Sequence, residues 1–252
     1  MTRAGWARRR RGGLPAGWER VTQQLLAPWV GLDGAERTRL ATSMDLLLRH
    51  KRWEGAVGFE VTDEMRVVIA AHAALVILGL DFDSYRDVQA IIVHPTTIIL
   101  HDERPGPAPG TFTDSPLPIS GQAHDRRGPV LIAWDAAHLD ARFPGRGQNV
   151  VVHEFAHKLD LLDDVLDGTP PLPDASARHR WMAVCTTEYE TLRSGFGDGL
   201  LRDYAAENRA EFFAVASEVF FARPAELQAA KPDLYSVLHD YYHQDPAARA
   251  GR

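Results

Sequence analysis

The segment His153-Glu154-Phe155-Ala156-His157, set inside the run Asn149 to Leu162, constrains this chain more than any other stretch. Val151, Val152, Phe155, Leu159 and Leu162 recur at helical spacing, so the run reads as a helix with a buried face. Asn149 stands where its N-cap belongs, just after the Gly145-Arg146-Gly147 break. On a helix, residues four apart project from one side, about 6 Å apart along the axis. Two imidazoles placed this way among apolar neighbours need partners, because a buried polar group without one costs free energy. In the His-Glu-x-x-His pattern that partner is a zinc ion, with the Glu, about 100° round from the first His, flanking the metal without binding it. A shuffled chain of this composition would hold the pattern on the order of 2% of the time, so the helical context carries much of the weight. The competing reading is a core helix with two incidental histidines.

A catalytic zinc takes three protein ligands and keeps one position for water, so a further ligand must come from elsewhere. Residues Tyr204 to Phe221 read as a second buried helix, with Phe212, Val215, Ala216, Val219 and Phe220 on its apolar side. Glu211, next to Phe212 and Phe213, is a carboxylate that is costly to desolvate unless it meets a proton, a cation or a metal. Glu207 and Glu218 fall near the same stripe and compete with it. Asp160 either orients a ligating imidazole or is solvated beside Asp163 and Asp164. The chemistry such a set supports is hydrolysis: zinc brings the pKa of bound water to about 7, Glu154 takes its proton, and the nucleophile attacks a carbonyl.

These residues carry a resemblance. The helix His153-Glu154-Phe155-Ala156-His157-Lys158-Leu159-Asp160, followed by Tyr204 and then Glu211, is similar to that of the Mlc titration factor A family of zinc peptidases, itself similar to the catalytic domain of anthrax lethal factor. The likeness spans most of the chain, leaving out the first dozen residues and the last few. It implies one zinc ion held by His153, His157 and Glu211, with Glu154 as general base and Tyr204 as donor to the oxyanion. Without it, Tyr204 reads as an exposed aromatic at a helix start. The implied fold is α+β and zincin-like, a small mixed sheet packed against the His-Glu-x-x-His helix with a mainly helical remainder. The implied activity is peptide hydrolysis of aminopeptidase type, and the implied partners are a peptide substrate and an Mlc-like transcriptional repressor. A protein that sequesters that repressor, with incidental peptidase activity, is the alternative, and hydrolysis of a non-peptide amide a third.

With 252 residues, of which 45% are hydrophobic, the chain can bury one sizeable core, and we expect a single domain over 13–252. Arg3 and Arg8 to Arg11 mark residues 1–12 as a disordered basic arm, with no signal-type apolar segment after it. A net charge of −6 argues against direct nucleic-acid binding. Cys185 is the lone cysteine, which fits a reducing, cytoplasmic setting. The apolar stretch Val67 to Leu80 is too short to span a membrane and reads as a buried helix starting from the N-cap Thr62. Ala35 to Arg52 reads as an amphipathic helix, and Ser176 to Ser194 as another. Val88–Val93 and Thr97–Leu100 read as strands joined by a tight turn at His94-Pro95. The Pro- and Gly-rich stretch from His101 to Gly128 reads as a surface crossing near the cleft. Val130 to Trp134 reads as a strand, placed by the resemblance at a sheet edge where substrate backbone would pair, or else inside the core. Gly195, Gly197 and Gly199 break the chain ahead of Tyr204, and Pro224 to His243 carries a packing stripe of Leu and Tyr at helical spacing. His239 and His243 read as surface or rim residues.

Overall fold

The computed structural model describes residues 13–100, 104–105, 112–113, 117–119, 121–122 and 126–251. The expected basic arm, residues 1–12, lies outside them. The architecture is α+β, a small sheet among ten helices of the described residues. Helix α1 (Trp18–Leu25) leads to α2 (Gly34–His50), which starts in a capping box between Asp33 and Glu36. It ends at His50 because the chain turns extended at Lys51 and enters strand β1 (Arg52–Gly55). Helix α3 (Asp63–Val76) begins where Thr62 accepts a hydrogen bond from the Met65 N–H. Val67 to Val76 are all buried, and a helix that is apolar on every side belongs at the centre. It packs against α1, α2, α4 (Trp134–Arg142) and α5 (Val150–Asp160).

The main sheet has the order β1-β2-β8-β7, with β2 (Ala90–His94), β7 (Gly121–Gln122) and β8 (Val130–Ala133). Strands β1, β2 and β8 are parallel, Arg52 facing Ala90 and Ile91 facing Val130, whereas β7 runs antiparallel to β8. Ala90, Ile91, Val93, Val130, Ile132 and Ala133 are buried, the composition expected of parallel strands covered on both faces.

The two strands expected on either side of the His94-Pro95 turn form at Ala90–His94 and Ile98–Leu100, but they belong to different sheets. The Pro95 carbonyl accepts from Asp135 N–H and the Thr97 N–H is bonded to the Asp135 carboxylate, so the turn is tied to the start of α4. Strand β3 (Ile98–Leu100) then pairs with β6 (Leu117–Ile119), and β4 (Arg104–Pro105) with β5 (Phe112–Thr113). The expected surface crossing therefore contains the short strands β4 to β7, and apart from residues 126–128 the rest of it lies outside those described. Strand β8 is internal, paired on both sides, so its expected place at the sheet edge is corrected: β7 holds that edge.

Helix α5 touches α3, β7, β8 and α7 (Arg209–Ala222), which leaves every one of its residues buried. The expected helix over 204–221 is divided. Asp203–Ala206 form a 3-10 turn, and α7 starts only after Asn208, whose extended backbone and side-chain bond to the Glu211 N–H make a new N-cap. After α6 (Ala175–Arg193) and α7, the Pro224–His243 stripe is broken into α8 (Pro224–Ala230) and α9 (Pro232–Tyr242), since Pro232 cannot continue a helix from Lys231. Its Leu and Tyr side chains pack in the core, and α10 (Pro246–Ala250) closes the chain.

Candidate metal centre

The start of α5 is held from several elements at once. Asn149 caps it through the Val152 N–H (3.1 Å), and Asp140 of α4 accepts from the Val150 N–H (3.0 Å). The Asn149 amide also faces His72 Nδ1 at 2.7 Å, while His72 Nε2 meets the Leu25 carbonyl at 2.8 Å. An amide donor on Nδ1 makes His72 a neutral ring with its proton on Nε2. Burial agrees, lowering the pKa of this imidazole to about 4.

One turn on, α5 presents His153 and His157. Their Nε2 atoms are 3.1 Å apart, and Glu211 Oε2 of α7 lies 3.0 Å from the first and 3.5 Å from the second. Three donors of one tetrahedral zinc at about 2.0–2.1 Å would be roughly 3.3 Å from each other, so the triangle fits such an ion. The opposite nitrogen of His153, Nδ1, is 2.7 Å from Glu218 Oε1. A proton there leaves a lone pair on Nε2, aimed at the same point as Glu211. The buried Glu211 Oε2 has no aligned hydrogen-bond donor among the described residues. Among the described residues, His153, His157 and Glu211 form a group whose atoms converge within 4.8 Å, as one cation requires. The electrostatics say the same. Against burial, which favours a neutral ring, Glu211 and Glu218 push the His153 imidazole up to about 10. Despite its own burial, Glu211 is held below the usual carboxylate range by the two imidazoles. The cluster attracts positive charge, which a bound metal ion would supply.

Glu154 points into the same region. It is 3% exposed, its Oε2 has no hydrogen-bond partner among the described residues, and burial pushes its carboxyl up to about 8. Such a group is poised to take and return a proton near neutral pH. Tyr204, on the 3-10 turn, is 38% exposed with its ring 6.1 Å from that of His153. Burial together with the nearby Glu211 and Glu154 raises its pKa, so the phenol keeps its proton and can donate.

This site arrangement accompanies a clear sequence relationship. The family model described as glucose-regulated metallo-peptidase M90 matches residues 3–243. The chain belongs to that family. A Synechocystis protein is 33% identical over 236 residues, covering 92% of this chain and 86% of its own length. Mlc titration factor A of Pectobacterium atrosepticum is 32% identical over 234 residues, covering 91% and 86%, and that of Serratia proteamaculans 31% over 236 residues, covering 90% and 86%. Within this M90 chain, the candidate carboxylates that sequence left open are now separated. Glu207 is exposed and lies before the cap of α7. Glu218 is 1% exposed and approaches the far nitrogen of His153. Asp160 is neither solvated nor bonded to a histidine: it is fully buried and accepts from the Gly168 N–H at 2.8 Å.

Sequence reasoning missed Asn149 as more than a cap, together with His72, Asp140 and Arg202. Glu218 had a signal, two turns from Glu211 on one helix. Arg202, in a glycine-rich connection, had none. The remaining histidines at four-residue spacing lie apart from the centre, His239 half-buried beside Asp240 and His243 exposed.

Proposed function

We propose that this chain is a zinc-dependent peptidase of zincin-like architecture, a single metallopeptidase domain over 13–252 preceded by a basic arm, acting in the cytoplasm. The observation that carries the reading is the triangle of His153 Nε2, His157 Nε2 and Glu211 Oε2, with a buried oxygen of Glu154 nearby that has no partner among the described residues. Zinc held there supplies a Lewis acid that polarises the scissile carbonyl and acidifies water. Glu154 takes the proton of the attacking water and passes it to the leaving amine. Tyr204 donates from its phenol to the carbonyl oxygen as negative charge develops there. Glu218 fixes the His153 tautomer, so that the ring offers its lone pair inward.

We assign the peptide class as amino-terminal, in keeping with the resemblance noted above. The names of the relatives support a second role, binding of an Mlc-like repressor, and a chain that only sequestered such a protein would not require Glu154. No helix of the described residues is long and apolar enough to cross a membrane, and the lone Cys185 is buried, its thiol pushed up to about 12 by burial. The test is metal content with a fluorogenic peptide and aminoacyl panel, with and without chelator, for the wild type and Glu154→Gln. One zinc per chain, with chelator-sensitive cleavage lost in the variant, supports the peptidase. Undiminished cleavage by the variant would sink the mechanism, and zinc without turnover would favour the binding protein.

A further inference from the structure

Arg202 and Glu218 play no direct part in the chemistry above, yet they form a closely bonded pair beside it. Arg202 Nη1 donates to Glu218 Oε2 at 2.9 Å and Nη2 to Oε1 at 2.7 Å, a forked pairing. Both carboxylate oxygens have second partners: Oε1 meets His153 Nδ1 at 2.7 Å, and Oε2 accepts the Asn149 N–H at 2.6 Å. The other face of the same guanidinium belongs to Tyr204, whose ring centroid is 5.6 Å away. A single side chain thus touches the carboxylate that orients a ligating imidazole and the aromatic ring that carries the proposed oxyanion donor.

Charge makes the pair necessary. Glu154, Glu211 and Glu218 are all buried; Arg202 is paired with Glu218, and a divalent cation at the His153, His157 and Glu211 site would offset the charge of the other two when ionised. Without Arg202, Glu218 would be a second buried carboxylate close to His153, free to turn from a support into a rival for the metal. The chain leading to Arg202 is loosely built. Gly195 and Gly199 adopt left-handed backbone (φ 78° and 76°), and the exposed Asp198 between them pairs with Lys231, the residue between α8 and α9, at 3.2 Å.

We propose that Arg202 is a positioning residue that couples the metal centre to Tyr204: its fork locks Glu218 and the His153 ring while its face carries the Tyr204 ring. Metal binding and the placement of the phenol then become one event. This rests on reading His153, His157 and Glu211 as a zinc site. Bound at that site, zinc would hold the His153 ring, which is bonded to Glu218; the fork joins Glu218 to Arg202, and Arg202 carries the Tyr204 ring.

The experiment uses the full chain and zinc alone. Affinity is measured by competition with a chromogenic chelator, and amide hydrogen exchange over residues 199–207 is followed with and without zinc. The variants are Arg202→Met, Arg202→Lys, Glu218→Gln and the Met/Gln double variant. In the wild type, zinc slows exchange over this segment. Arg202→Met and Glu218→Gln each weaken zinc binding by about 10- to 100-fold, and zinc no longer protects the segment. The double variant loses no more than the worse single one, because the two residues act as a unit. Arg202→Lys, which keeps the charge without the fork, falls between. A merely structural role would lower the thermal stability of the zinc-free protein and leave affinity and protection as they are, which overturns the proposal. So does weakened zinc binding with protection of 199–207 intact. Should Arg202→Met not fold, the nearly isosteric Glu218→Gln decides by the same criteria. A wild type that binds no zinc overturns the metal-site reading itself, an outcome distinct from zinc binding that ignores Arg202.

Discussion

Glu154, His72 and Tyr204 show how far a single side chain's surroundings determine what it does. Glu154 has a buried oxygen without a partner among the described residues and a carboxyl raised to about 8 by burial. Glu154→Gln keeps the shape and removes the base, so kcat is expected to fall by at least about 10²-fold with zinc content unchanged. Tyr204→Phe keeps the ring on Arg202 and removes the donor. It should lower kcat by about 10²–10³-fold while zinc binding persists, read by steady-state kinetics beside metal analysis. His72 is a stability matter. Its folded pKa of about 4 lies below the ordinary 6.5, so between these values the unfolded chain binds more protons. Its contribution is complete above about pH 6.5 and is lost as pH falls towards 4, about 3 kcal/mol in all. Urea unfolding of the wild type and His72→Gln across that range should show the wild type losing more stability on acidification; parallel curves would refute the assignment. The residue types were legible in the sequence as far as His153, Glu154, His157 and Glu211. His72 and Arg202 were not, because their partners Asn149 and Glu218 are distant along the chain and carry no local periodicity.

At the scale of elements, what a helix starts from proved as informative as what it buries. Thr62 and Asn149 were readable as caps because a short polar side chain before an apolar run has few other uses, and both accept the N–H expected of them. Asn149→Ala removes the cap of α5 and the amide on His72, and is expected to cost about 1–2 kcal/mol, seen as a lower urea midpoint with unchanged slope. The loop after α5 is fixed as tightly. Gly168 has φ 78°, and a Cβ there would lie 2.2 Å from the Arg209 carbonyl at the start of α7. Gly168→Ala therefore combines left-handed strain with a backbone clash, and should lower stability by more than about 2 kcal/mol in thermal unfolding. Strands were less legible than helices. Short β-branched runs announce a strand but not its neighbour, and the two strands at 90–94 and 98–100, joined by a short turn, entered different sheets. The helix read over 204–221 failed similarly at its start, because Asn208 spends its side chain on the Glu211 N–H.

For the whole molecule, the candidate centre lies where α5 and α7 meet, with α5 also against the sheet and α3, so anything that fills it should brace the core. Zinc at about 1,000 times its dissociation constant would add roughly 4 kcal/mol of stability. Chelation should lower the melting temperature of the wild type, and the same treatment should leave His153→Ala unmoved. The sequence by itself determined the buried helices, their caps and the residues able to bind a metal, because helical spacing and local hydrogen bonding are encoded within a few positions. Only the tertiary structure decided which carboxylate reaches which nitrogen. Glu211 and Glu218 stand two turns apart on one helix and are alike in sequence, yet packing of α7 against α5 sets one at Nε2 and the other at Nδ1 of the same ring. That choice depends on the position of two helices brought together across about fifty residues of chain, which local patterns do not specify.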